Sequence, residues 1–421
     1  MARAGLGEGW TCRFANDLDA KKAASYQANW GVGGELKIGD VAGVCTDDLP
    51  GRADLIWASF PCQDLSLAGD GAGLAGARSG AFFPFWRLVQ GLIAEGRGPK
   101  LIAIENVPGT LTSHGGRDFA VICQALAGAG YRNSALVIDA QMFVPQSRPR
   151  VFIIGVRGDV AIGPCLLSPQ PMAPFHPPAL QRAVSGNTAG PCLWWHLPVP
   201  ARRTATFADV IETESRGVAW HSQGQTADLL ALMSPLNLAK VETAKACGRP
   251  KVGTVYRRTR RDPFGHRLQR AEVRFDDIAG CLRTPAGGSS RQVILVVDGQ
   301  NVRSRLISAR ETARLMGLSD DYVLPTRYSD AYHLTGDGVV VPVVRHLAQH
   351  IFEPREKPVR PIHAVLGDVG GFRLQHQLRN VDVRRALDLA HLAMHAQIGD
   401  GADFLGAELH AVGSALQKIA Q

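Results

Sequence analysis

Between residues 54 and 66 an apolar run, Leu55 to Ala58, leads straight into the turn Pro61-Cys62-Gln63, and this junction narrows the possible folds more than any other stretch. A thiol just past a strand stands where open α/β sheets keep their reactive groups, at the carboxyl ends of the strands. A lone cysteine is more often a packed, inert thiol, so its surroundings must decide. Thr11 to Ala15, Leu101 to Ile104 and Val151 to Val156 are further strand-like runs, and helical periodicity fills Ala20 to Trp30, Phe83 to Glu95 and Asp118 to Ala129. Strands and helices in alternation predict a doubly wound α/β sheet.

Other strand ends also carry chemistry. Leu101 to Ile104 leads into Glu105-Asn106-Val107-Pro108, and Val144-Pro145-Gln146-Ser147-Arg148-Pro149-Arg150 leads into Val151 to Gly155. In order and spacing, these blocks and Pro61-Cys62-Gln63 resemble the nucleophile, Glu-Asn-Val and Gln-x-Arg-x-Arg blocks of the DNA cytosine-5 methyltransferase family. Arg305 to Gly317 resembles the helix that returns such enzymes from target recognition to the catalytic domain. Gly336-Asp337-Gly338, followed by Val339 to Val344, resembles the final block, where the family usually has Asn. Asp337 keeps an acceptor there and loses the amide donor.

The resemblance implies a Rossmann-like sheet dependent on S-adenosyl-L-methionine as methyl donor, with no metal. It implies that Cys62 adds to C6 of cytosine, that Glu105 bonds N3 and the exocyclic amine, and that Arg150 meets O2, with Arg148 supporting the loop or a phosphate. For the donor it assigns Asp17 to the ribose hydroxyls, Leu18 and Pro61 to the adenine ring, Asp40 to its amine, and Asp337 to the closing block. Gln63 and Ser66 fall to DNA, and the glycine-rich run Leu67 to Gly76 to a loop that closes over it. Family members open with a strand and a glycine-rich turn, whereas Met1 to Leu6 matches the helix that follows that turn, so the expected sheet lacks its first strand.

The chain's net charge of +8 favours a polyanionic partner. Between Lys245 and Arg274 lie ten basic residues against two acidic ones, with arginine outnumbering lysine eight to two and Tyr256, Phe264 and His266 interleaved. Charge runs are often solvated faces. This composition instead suits phosphate clamping and base-edge contact, and Arg257, Arg258, Arg260 and Arg261 are its expected DNA-binding residues. Double-stranded DNA is thus the expected substrate, in preference to RNA handled by a relative of the same fold or to a DNA-binding relative that no longer methylates.

Prolines at 164, 169, 171, 174, 177 and 178 mark a boundary. The expected division is a catalytic domain at 1–160, a smaller inserted recognition domain at 161–300, a catalytic return at 301–354 and a helical tail at 355–421, with amphipathic patterns at Val381 to Met394 and Phe404 to Ile419. Eight cysteines without a Cys-x-x-Cys pair indicate neither zinc site nor disulfide framework. No apolar run is of bilayer length and the first residues lack a signal peptide's apolar segment. A monomeric cytoplasmic protein, bacterial or phage-encoded, is expected, with a cognate restriction endonuclease left open as a partner.

Overall fold

Leu101–Asn106 is buried along its whole length, as a continuous apolar run must be when both faces of its sheet are covered. It is one strand of a computed structural model that describes residues 1–60, 79–186, 193–214, 217–261, 264–284 and 291–354. Pro61, Cys62, Gln63, Ser66, the glycine-rich run and the tail from 355 lie outside the described residues. The described residues belong to one of two compact units, Met1–Pro358.

The chain begins with α1 (Ala2–Leu6), β1 (Ala15–Asp17), α2 (Ala20–Trp30), β2 (Leu36–Ile38), β3 (Leu55–Ser59), α3 (Phe82–Ala94), β4 (Leu101–Asn106), α4 (Arg117–Gly128), β5 (Tyr131–Asp139) and β6 (Pro149–Arg157). Four of these strands form one sheet in the order β3-β4-β6-β5; β1 and β2 form a separate parallel pair. Strand β3 runs parallel to β4, whereas β6 runs antiparallel to both β4 and β5. Alternation along β4 sends Ile102 and Ile104 to one side, against Phe82, Val89, Phe119, Ile122 and Leu126 of α3 and α4. Leu101 and Ala103 face the other side, in a core completed by residues near the end of the described chain.

Two expectations for the strands before residue 160 need correction. The first strand is Ala15–Asp17, not Thr11 to Ala15, because parallel pairing begins only where Ala15 meets Leu36. Strand β5, nine residues long, is absent from the expected strands: its apolar positions are interrupted by Arg132, Asn133 and Ser134, and pairing with β6 supplies what periodicity does not.

After β6 come β7 (Leu167–Ser168), α5 (Pro178–Ser185), β8 (Trp194–Trp195), α6 (Phe207–Val210), α7 (Gln223–Ala231), α8 (Pro235–Lys245), β9 (Lys251–Arg261), β10 (Arg267–Arg274), β11 (Val293–Asp298) and β12 (Asn301–Leu306). The last four make an antiparallel sheet in the order β10-β9-β11-β12, with Val255, Ala271, Val273, Val293 and Leu295 packed on Leu229, Met233, Val241 and Ala244 of α7, α8 and the turn between them. Strand β12, expected in the catalytic return, is instead the second arm of a hairpin with β11, since the tight turn at 299–300 holds both in one ladder.

The described chain then forms α9 (Ala309–Leu315), α10 (Tyr328–Asp337) and α11 (Val341–Leu347). Helix α11 lies against α1 so closely that a Cβ on Gly5 would overlap Val344. Among the described residues no helix is long and apolar enough to cross a membrane.

Candidate active site

Glu105 lies near the carboxyl end of β4, in register with Ser59 of β3 and Phe152 of β6, and is 7% exposed. A buried carboxylate needs a partner. Arg150, near the start of β6, supplies it: its Nε is 3.1 Å from Glu105 Oε1. The neighbouring Asn106 donates from Nδ2 to the carbonyl of Phe60 at 3.3 Å and accepts from the amide of Val107. The last described residue before Pro61 is therefore tied to the strand that carries Glu105.

Arg148 is turned inward. Its Nη1 donates to the carbonyl of Leu282 at 2.8 Å, and its Nη2 to the carbonyls of Gly336 and Gly338 at 2.7 Å each. The side chain thus fastens the segment between β10 and β11, and the end of α10, to the residues that lead into β6. Nη1 also lies 3.3 Å from the sulfur of Cys281, and Arg150 Nη2 is 4.0 Å from it. Burial alone would push the Cys281 thiol up, but these two guanidinium groups hold it below its ordinary value. Sequence spacing gives no sign of this thiol's place, because its partners lie more than a hundred residues away.

A cavity of about 2130 Å³ is lined by Glu105, Arg148, Arg150, Cys281, Asp17, Leu18, Asp40 and Asp337 together. Asn16 donates to the carbonyls of Lys37 and Gly39, fastening the end of β1 to β2 and so setting Asp17 and Asp40 near one another in the chain fold. Asp17 accepts from the amide of Asp19 and Asp40 from that of Ala42. Leu18 is 72% exposed. An apolar side chain beside two carboxylate acceptors can meet a flat ring together with hydroxyl or amine donors.

Asp337 is paired with Lys22 of α2 at 2.6 Å and accepts from the hydroxyl of Thr284. Burial disfavours the charge on Lys22, and Asp337 outweighs it, raising the ammonium's pKa above the ordinary value. The sequence signal for Lys22 is the acid at 337 itself, since a carboxylate in place of an amide invites a cation.

Strand alternation divides the four expected DNA-binding arginines. Arg257 and Arg261 share the face of Val255, which packs on helices. Consistent with that side, Arg257 adds to burial in lowering the pKa of His221, which precedes α7. Arg258 and Arg260 share the face of Tyr256, and Tyr256, Arg258 and Arg274 line the same cavity as Glu105. Tyr256 approaches the chain so closely that a Cβ on Gly280 would overlap its hydroxyl.

Residues 2–353 match the family model of C-5 cytosine-specific DNA methylases. The chain is 25% identical over 364 residues to the Type II methyltransferase M.HpaII of Haemophilus parainfluenzae, covering 82% of this chain and 84% of that one. It is 27% identical over 341 residues to M.NlaX of Neisseria lactamica, covering 81% and 88%. Among solved structures, the Entamoeba histolytica methyltransferase EhMeth superposes with a TM-score of 0.52 at 13% identity, over 82% of this chain and 90% of the other. At that identity the likeness establishes a shared fold.

Proposed function

The chain belongs to the C-5 cytosine-specific DNA methylase family, and from that premise we propose that it methylates C5 of a cytosine in duplex DNA through a covalent adduct with Cys62. The observation that carries this reading is the Glu105–Arg150 pair, which shares one cavity with Asp17, Leu18 and Asp40. One end of the cavity suits a ribosyl-purine and the other a polar heterocycle.

Asp17 and Asp40 would hold the ribose hydroxyls and adenine amine of S-adenosyl-L-methionine, with Leu18 and Pro61 against the ring. When bound, that group supplies an electrophilic methyl. Asp337, neutralised by Lys22, would close this end.

The target base is rotated out of the helix, as enzymes that modify bases require. The Cys62 thiolate adds to C6, and the ring becomes an enamine nucleophilic at C5. Glu105 bonds N3 and the exocyclic amine, while Arg150 steadies Glu105 and meets the charge that develops on O2. C5 would take the methyl as the donor leaves as a neutral thioether; solvent would then accept the C5 proton as the C6–S bond breaks and its electron pair returns to Cys62 as the thiolate. Arg148 acts at one remove, holding the loop of Cys281 and Leu282 in place. Gln63 and Ser66, from the segment after Cys62, are assigned to DNA. We take the recognition part to be the sheet β10-β9-β11-β12 with α7 and α8, and a partner restriction endonuclease is in keeping with the Type II relatives.

The test is methyl incorporation from labelled donor into duplex DNA and into transfer RNA, by wild type and by Cys62→Ser. Duplex DNA is expected to be labelled, with activity lost in the variant and binding retained, because a serine hydroxyl is far less ionised than a thiol. Labelling confined to transfer RNA would make the protein an RNA methyltransferase. Turnover by Cys62→Ser would exclude the covalent route.

A further inference from the structure

On the recognition sheet one carboxylate holds two arginines. Glu272 of β10 meets Arg258 through Oε2, 3.0 Å from its Nε, and Arg260 through Oε1, 2.9 Å from its Nε. Tyr256, the cross-strand partner of Glu272, lies with its ring centroid 5.7 Å from the Arg258 guanidinium. Other cations that the register puts on this face include Arg270, opposite Arg258, Arg274, which is paired with Asp276, and on the far strand Arg303 and Arg305, which lie over the ring of Trp220.

The side chains of Arg258, Arg260 and Glu272 are 45%, 51% and 32% exposed. Ion pairs this wet contribute little to stability, so the fold gives no strong reason for the carboxylate. Nor does a carboxylate bind DNA phosphates; it repels them. What it does is fix the direction of two guanidinium forks and lower the net charge that this face turns toward the cavity. Non-specific DNA binding is driven by phosphate neutralisation and counterion release. A base edge, by contrast, is read by a fork held in a set orientation.

We propose that Glu272 is a specificity-determining residue: by occupying Arg258 and Arg260 it keeps them from clamping the phosphates of any duplex and holds them for contacts that only the target sequence offers. This rests on the reading of the site as a DNA methyltransferase. The carboxylate acts as an internal competitor for the backbone. Target DNA displaces or bridges it with fitted contacts, and other sequences do not.

The experiment compares wild type, Glu272→Gln and Glu272→Asp on two duplexes, one holding the site that bisulfite sequencing identifies and one with that site scrambled. Glu272→Gln is expected to bind the scrambled duplex more tightly, with a salt dependence steeper by about 0.9 in slope for each additional phosphate neutralised. Its ratio of target to scrambled affinity should fall, and Glu272→Asp should lie nearer wild type. In an Arg258→Gln, Arg260→Gln background the Glu272→Gln change should have no further effect. An unchanged slope and ratio in Glu272→Gln, or equal weakening on both duplexes, would overturn the inference while wild-type methylation of duplex DNA stands. If wild type leaves every duplex unmethylated, the enzymatic reading fails first and the inference with it.

Discussion

Arg148 and Arg150 are two residues apart and do different work. Both approach the Cys281 sulfur, but beyond it Arg150 meets Glu105, while Arg148 takes the carbonyls of Leu282, Gly336 and Gly338. Methionine at 148 would leave those three carbonyls without their donor. Each buried polar group left unsatisfied costs about 1 to 3 kcal/mol, so Arg148→Met should lower stability by about 3 kcal/mol or more. The urea midpoint should fall with the slope unchanged. Lysine should rescue poorly, since one ammonium cannot reproduce two fork-borne contacts in different directions. An unaltered midpoint would show that water replaces the guanidinium. The pair Glu105 and Arg150 is legible in the sequence because each sits in a short block with a recognisable order. The duty of Arg148 is not, because its three carbonyl partners are 134 to 190 residues away and are backbone atoms, which carry no side-chain signal.

At the scale of elements, the junction of β12 and α9 is the most constrained. Arg305 and Glu311 are both fully buried and meet at two points, Nη1 to Oε2 at 2.8 Å and Nη2 to Oε1 at 2.6 Å. Glu311 also accepts from the amides of Ser308 and Glu212, and closes a capping box with Ser308 at the start of α9. Removing one partner of such a pair leaves a buried charge uncompensated, at a cost of about 3 to 5 kcal/mol. Arg305→Met should lose that much, and adding Glu311→Leu should return part of it, apart from the lost cap. Urea unfolding of the two variants decides the matter, and a double variant no better than the single would show that the cap outweighs the charge. The Ser308-to-Glu311 spacing announces a helix start in sequence. The basic segment announces a polyanion-binding surface but not its geometry, since only the ladder of β9 with β10 reveals which arginines face the cavity.

For the molecule as a whole, histidine is one source of the charge that varies near neutral pH. His176 and His346 are buried, and burial lowers both below the ordinary value of 6.5. His221 and His350 are lowered for the same first reason. A histidine whose folded pKa is depressed binds its proton more readily in the unfolded chain, so stability rises with pH; it is complete above the unfolded value and is lost as pH falls through about 6.5 and below. The carboxylates act later: Asp48, hydrogen-bonded by Lys37 and then by the amide of Cys45, is held down to about 2, and its contribution begins to fade only near the unfolded value of about 4. The acid loss of stability that these histidines contribute should therefore fall between about pH 7 and 5. Urea midpoints at pH 7.5, 6.5 and 5.5 should decline for wild type. The decline should be shallower in His176→Gln with His346→Gln, where an amide oxygen can still accept from Met172 and an amide nitrogen can still donate to Pro198. The growth of net positive charge on acidification is common to both proteins, since it acts through the remaining titratable groups. Parallel curves would therefore assign the loss to that general repulsion, whereas a shallower curve for the double variant assigns it to these two buried rings.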